Sequence, residues 1–122
     1  MTKYSGKYDL EARTTKFGEK VIGFAGKITR TPVTISLISQ LVRAGTSVGA
    51  NYCEADDSLT RKEFIHKISI CKKESRETKY WLIMVTKAIG SANEIPGLMK
   101  EAEELNRIFA AIIKKCRLDD QQ

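Results

Sequence analysis

The longest apolar pattern in the chain constrains it most. Phe64, Ile68, Cys71, Ser75, Thr78, Leu82, Val85 and Ile89 recur at alternating steps of four and three over almost thirty residues. That spacing keeps one face of an α-helix turned toward a partner for its whole length. Three shorter stripes repeat it. Leu10, Thr14, Phe17, Val21, Phe24 and Ile28 open the chain; Ile38, Leu41, Gly45, Val48 and Tyr52 come next; Leu98, Ala102, Leu105, Phe109, Ile112 and Cys116 close it. The punctuation between stripes suits helix ends. Pro32 fits a first turn with Thr31 as cap, and Thr60 with Glu63 forms a capping-box pattern that competes with Ser58. Gly90 is placed to end the third helix, and Ser91 or Asn93 to cap the fourth, with Pro96 tolerated in its first turn. The spacing predicts helices at about 9–30, 32–55, 59–89 and 94–117. Short connections between amphipathic helices predict an all-α, antiparallel up-down-up-down four-helix bundle, one domain spanning 1–122. No stretch alternates with the period of a strand.

The stretch "RAGTSVGANYCEA" (43–55) departs from ordinary helix composition. A glycine inside a helix costs roughly 1 kcal/mol relative to alanine, so Gly45 and Gly49 imply a close approach, with Trp81 a candidate to fill it. Beside them Ser36, Gln40, Arg43, Ser47, Ala50 and Glu54 form a polar line. The third helix carries a second seam, Ile70, Glu74, Glu77, Trp81, Met84 and Ala88. Acids and a base beside apolar seams must be paired to be buried without large cost. Arg43 and Asn51 are therefore expected to meet Glu74 or Glu77, in a network that fixes helix register or subunit geometry, the alternative being that the network is itself a site.

Charge is unevenly distributed along a chain whose net charge is +6. Residues 1–31 hold seven Lys/Arg against three acids, and 58–90 hold eight against three; 32–57 and 91–122 are slightly acidic. This asymmetry is compatible with an anionic partner that exchanges counterions for lysine and arginine. Lys16, Lys20, Lys27, Arg61, Lys62, Lys72, Lys73 and Lys79 are the candidate phosphate contacts. Phe17, Phe24, Phe64 and Phe109 belong to core stripes, so base-stacking platforms are not indicated.

Enzymatic motifs are weak. "EFIH" gives Glu63 and His66 the Glu-x-x-His spacing of di-iron bundles, but His66 is the one histidine and falls off the apolar stripe. Glu74 and Glu77 have no positioned nucleophile beside them, and Cys53, Cys71 and Cys116 form no C-x-x-C pair. No catalytic residue, cofactor or metal is expected. The opening "MTKYSGKYDL" lacks a signal-peptide core and no apolar run approaches the roughly 20 residues that span a bilayer, so the expectation is a cytoplasmic protein without membrane contact.

"LVRAGTSVGANYCEA" (41–55) and "FIHKISICKKESRETKYWLIM" (64–84), with "YDLEARTTKF" (8–17) and the last helix, resemble the small bacterial four helix bundle proteins encoded in intervening sequences of large-subunit ribosomal RNA genes, sometimes labelled ribosomal proteins. The resemblance covers about residues 8 to 117. It implies an antiparallel bundle assembled as a homopentameric ring, without established enzymatic activity and linked to ribosomal RNA. Related pentameric bundles serve diversity-generating retroelements, contacting nucleic acid through a basic exterior. Arg43, Ser47, Gly49, Asn51, Glu54, Glu74, Glu77 and Trp81 fall where the family pattern recurs. Cys53 stands where members often carry a basic residue, and Ser75 where a small apolar one is usual.

These readings converge on a non-enzymatic oligomeric binding protein for RNA or a nucleoprotein, with no small-molecule substrate. The alternative is a structural ring that meets a protein partner and uses its positive charge only for solubility. The two differ in salt dependence, which is steep for a phosphate binder.

Overall fold

The computed structural model describes residues 9–121, and in it the chain is all-helical: α1 (Leu10–Gly26), α2 (Pro32–Asp56), α3 (Arg61–Ile89) and α4 (Ile95–Asp120). The leading residues 1–8, part of the stretch read for an export signal, lie outside the described residues. Three helix starts are fixed by side-chain oxygens that accept otherwise unpaired backbone N–H groups. Asp9 accepts from Ala12 N at 3.1 Å, Thr31 from Thr34 N at 3.1 Å, and Thr60 from Glu63 N at 3.1 Å. At α2 the capping box is reciprocal, because Thr31 N donates to Thr34 Oγ1 at 2.7 Å. Ser58 is no cap; its hydroxyl donates to the Glu54 carbonyl at 3.2 Å and so belongs to the end of α2.

α3 starts at Arg61 rather than near 59 and α4 continues to Asp120 rather than 117, and the end of α1 and the cap of α4 also differ from the sequence expectation. α1 stops at Gly26 rather than near residue 30, because Lys27 N and Ile28 N bond back three residues to the Phe24 and Ala25 carbonyls, which tightens the final turn. Thr34 Oγ1 then holds the Thr29 carbonyl at 2.7 Å. α4 has neither Ser91 nor Asn93 as cap. Glu94 occupies that position in helical conformation without a side-chain hydrogen bond, since the turn closed by Ile95 N on the Ala92 carbonyl winds directly into the helix. Gly90 does end α3, at φ 84°, where its missing Cβ is needed.

The four stripes form one core. Phe17, Leu41, Ile68, Leu82, Leu105 and Phe109 are essentially inaccessible, each worth roughly 1.5–3 kcal/mol of transfer free energy. The stripe on α3 loses contact at its end, where Ile89 is exposed. Its polar members are buried at little cost, because the Ser75 and Thr78 hydroxyls donate to the Cys71 and Glu74 carbonyls at 2.8 and 2.7 Å.

The glycines of α2 are explained by α1, not by Trp81. A Cβ on Gly45 would lie 2.8 Å from Val21 Cγ1, and one on Gly49 would lie 3.4 Å from the Thr14 backbone. Gly18 faces the same seam, where its Cβ would lie 3.6 Å from the Gly45 carbonyl oxygen. Trp81 stands on the α3 side, edge-on to Tyr80 with ring centroids 5.0 Å apart. Aromatic bulk there cannot enter a contact already closed by Val21 and Thr14.

This packing separates glycines by role. Gly45→Ala is expected to destabilise the fold by about 1–2 kcal/mol, because crowding buried Val21 outweighs the gain in helix propensity. Gly23→Ala, whose Cβ would meet nothing within 4 Å, is expected to stabilise it by up to about 1 kcal/mol. Urea unfolding of both variants checks this; equal shifts would contradict the close-approach account.

Candidate nucleic-acid interface

α2 is flanked by α1 on its glycine side and by α3 on its polar side. Glu74, 7% exposed, accepts from Arg43 Nη1 at 3.2 Å, and Glu77 accepts from Arg43 Nη2. Gln40 Oε1 accepts from Arg43 Nε at 3.2 Å, and Trp81 Nε1 reaches Glu77 at 3.4 Å. The second face of α3 is thus matched, at Glu74 and Glu77, by a helix of the same chain. Asn51 stays outside this network. Its amide donates to the Ser47 carbonyl at 2.9 Å, one turn back on its own helix, as Ser47 Oγ does to the Arg43 carbonyl at 2.6 Å. Glu54 lies further along α2 and accepts from Lys67 at 2.6 Å.

The eight candidate cations do not share one surface. Three of them are neutralised within the chain: Lys27 by Glu94 at 3.0 Å, Arg61 by Asp120 at 3.1 Å, and Lys79 by Glu103 at 2.8 Å. Donation from Lys27 and Lys79 holds the Glu94 and Glu103 carboxyls below the usual range. Lys16 and Lys20 line a groove between α1 and α4, whereas Lys72 and Lys73 line another between α3 and α4. Lys62 is exposed near the start of α3 and lines neither groove.

The α3/α4 groove, about 590 Å³, gathers cations that the sequence reading did not single out. Arg76 on α3 and Lys114 and Arg117 on α4 join Lys72 and Lys73 there. Among the described residues none of these five has a carboxylate within ion-pairing distance. Ala110, Ile113 and Leu118 supply apolar lining, and no aromatic ring does. Asn106 ties the two walls by donating to the Lys72 carbonyl at 2.8 Å. A second depression, which shares Arg76 and Asn106, continues the groove past Arg107. The signal was present in the sequence: Lys72 and Arg76 are four apart, and Lys114 and Arg117 three apart, so each pair shares a helix face. Averaging over 91–122 hid it, because Glu94, Glu101, Glu103 and Glu104 cancel those charges while sitting in the first half of α4 or just before it.

Nothing in the described residues resembles a reactive centre. Burial pushes the Cys71 thiol up to about 12 and, reinforced by Asp56, pushes the Tyr52 hydroxyl up to about 12. The Cys53 thiol is also raised, chiefly by desolvation, so none of these is an activated nucleophile. His66 is exposed, and no group of three or more His, Cys, Asp or Glu among the described residues is arranged to hold a metal. No described helix is long and apolar enough to cross a membrane.

The model of the 23S rRNA-intervening sequence protein family matches residues 8–112. The chain belongs to that family. A structural relative of this family member is a protein of unknown function from the S23 ribosomal protein family of Bacteroides thetaiotaomicron VPI-5482, solved at 1.70 Å. It is 26% identical, with a TM-score of 0.76 over 86% of this chain and 98% of that one. No curated protein gives a significant match. Neither the family description nor the relative's names an enzymatic activity. The matched span contains the glycine contact and the Arg43 network, and it stops after Ile112, so Lys114 and Arg117 lie beyond it.

Two outcomes follow from the buried groups. Arg43→Met leaves the Glu74 carboxylate buried and unpaired and is expected to cost about 1–3 kcal/mol, with partial recovery on adding Glu74→Gln. Chemical denaturation of Arg43→Met, Glu74→Gln and the double variant measures this; additive losses would break the coupling. Because the folded state holds the Cys71 and Tyr52 protons more tightly than the unfolded chain, the stability they confer is fully present below their ordinary values of 9.0 and 10.0 and is lost as pH rises toward 12. Unfolding midpoints across that alkaline range are expected to fall less steeply in Cys71→Ala than in the parent.

Proposed function

We propose that the chain is a non-enzymatic, oligomeric binding protein that engages RNA or a nucleoprotein, with the α3/α4 groove as its phosphate-contacting surface. One observation carries the reading: five cations from two helices converge on a single groove and none is neutralised by an acid within the described residues. Lysine and arginine left in that state gain most by releasing the counterions of a polyanion. Membership of a family described by 23S rRNA supports RNA as that polyanion. The lack of an aromatic lining favours contact with the backbone over base stacking.

The antiparallel up-down-up-down course is supported by the order of contacts. Val21 meets Gly45 while Thr14 meets Gly49; Arg43 meets Glu74 while Glu54 meets Lys67; Lys79 meets Glu103 while Arg61 meets Asp120. Exposed Ile22, Val33, Ile35, Tyr80 and Ile83 favour association with further chains, and the homopentameric ring rests on the family resemblance. A cytoplasmic location, where ribosomal RNA resides, is part of the same reading. A ring that met only protein partners would use those apolar side chains and leave the groove idle.

Fluorescence anisotropy with labelled ribosomal RNA hairpins and unrelated duplex, on protein of verified oligomeric mass, tests the proposal. We expect log affinity to fall with log salt with a slope of about −3 to −5, as for some five phosphate contacts. Lys72→Glu/Lys73→Glu and Lys114→Glu/Arg117→Glu should each weaken binding at least tenfold and flatten the slope by about 2. Lys27→Glu, removing a cation already paired, should change it little. Absence of binding at low salt would transfer the assignment to the protein-partner ring.

A further inference from the structure

α1 packs extensively on α2 but meets α4 only sparsely, and the α1/α4 groove is larger than the basic one, at about 760 Å³. Ion pairs bridge both ends. Arg13 donates to Glu101 and Glu104, each at 2.8 Å, and Lys27 to Glu94 at 3.0 Å. The Glu101 hydrogen bond raises the Arg13 guanidinium above its already high ordinary value, so Arg13 stays charged at any physiological pH. Between the two bridges lies a window about 20 Å long on the α1 side, from Arg13 to Lys27, narrowing to about 10 Å on the α4 side, from Glu94 to Glu101, at 1.5 Å per residue.

Three features within the window point to a ligand. Gly23 and Gly97 line it, and a Cβ on either would meet nothing within 4 Å. Neither has the positive φ that demands glycine, and neither has a packing return inside the chain; Gly23 also weakens the interior of α1, while Gly97 sits in the first turn of α4, and what the missing side chains provide is room. The floor is apolar, made by Phe24 and Leu98. The lining acids Glu94, Glu101 and Glu104 are all engaged by Arg13 and Lys27, whereas Lys16, Lys20 and Lys100 have no carboxylate within ion-pairing distance among the described residues.

We propose that this groove binds a compact organic anion: an apolar body over Phe24 and Leu98 in the space left by Gly23 and Gly97, and a carboxylate or sulfonate held by Lys16, Lys20 and Lys100. The closed ends and a volume inside the range of about 300–1,000 Å³ typical of small-ligand sites favour a compact ligand over a helix running through. The site is separate from the α3/α4 groove and does not depend on the RNA reading.

The probe is 1-anilinonaphthalene-8-sulfonate, titrated by fluorescence into the full chain and compared with N-phenyl-1-naphthylamine, which has the same rings and no sulfonate. We expect saturable binding of the sulfonate, at least tenfold tighter than that of the neutral amine. Gly97→Leu, which fills the space, and Lys16→Gln/Lys20→Gln, which removes the charge at the surface, should each weaken it at least fivefold with unchanged circular dichroism. Lys72→Glu/Lys73→Glu should leave it intact. The glutamine pair keeps the test meaningful if Gly97→Leu disturbs α4. No binding to the parent, equal binding of the neutral amine, or binding indifferent to the Lys16/Lys20 change would each overturn the proposal.

Discussion

The approach of α1 to α2 at Gly18, Gly45 and Gly49 governs much of the remaining architecture. With no side chain at three facing positions, the two backbones come together until Val21 and Thr14 rest on bare α2. An amphipathic helix drawn so far toward one neighbour has less surface to offer another. α1 meets α4 sparsely, and their separation is spanned by the longer reach of Arg13 and Lys27 to glutamates on the α4 side, one at each end of the groove. The groove between α1 and α4 thus lies on the flank of α1 away from its glycine contact with α2.

Electrostatics divides the surface along the same lines. Acids concentrate where α4 begins, and they neutralise Arg13, Lys27 and Lys79 on the two helices beside it. Further along α4 the acids give way to Lys114 and Arg117, and the α3/α4 groove turns basic. Position relative to the α4 glutamates, more than the number of lysines on a helix, decides which cations are available to a partner. Arg43 is different in kind. Its carboxylate partner Glu74 is nearly buried, so the pair specifies how α2 sits on α3 and removing one member costs more than an exposed pair would.

Most of the fold is legible in the spacing of residues along the chain. All the stripe residues except Ile38 and Ile89 are buried, because helical periodicity and burial are the same constraint seen twice. Thr31, Thr60 and Gly90 are legible because caps act within a few residues. The misses share a cause. The α4 start and the α1 end depend on turn geometry that the side chains do not announce, and Asn51, expected at Glu74 or Glu77, donates instead to the carbonyl one turn back on its own helix. Of the candidate site, Lys72 and Lys73 were legible as cations off the apolar stripe, but their companions on α4 were masked by glutamates of the same stretch of sequence, none of which lines the groove itself.

The sequence by itself determined four helices, their inward faces, the need for Arg43 to meet an acid of the third helix, with Glu74 and Glu77 both open to it, and a surplus of positive charge, since each follows from local spacing or from a residue type with few ways to be accommodated. Tertiary structure alone decided which helix the α2 glycines face, which lysines are neutralised, and that Lys72, Lys73, Arg76, Lys114 and Arg117 share one groove. Those are relations between residues tens of positions apart, set by how the helices pack side by side, and no periodicity along the chain encodes them.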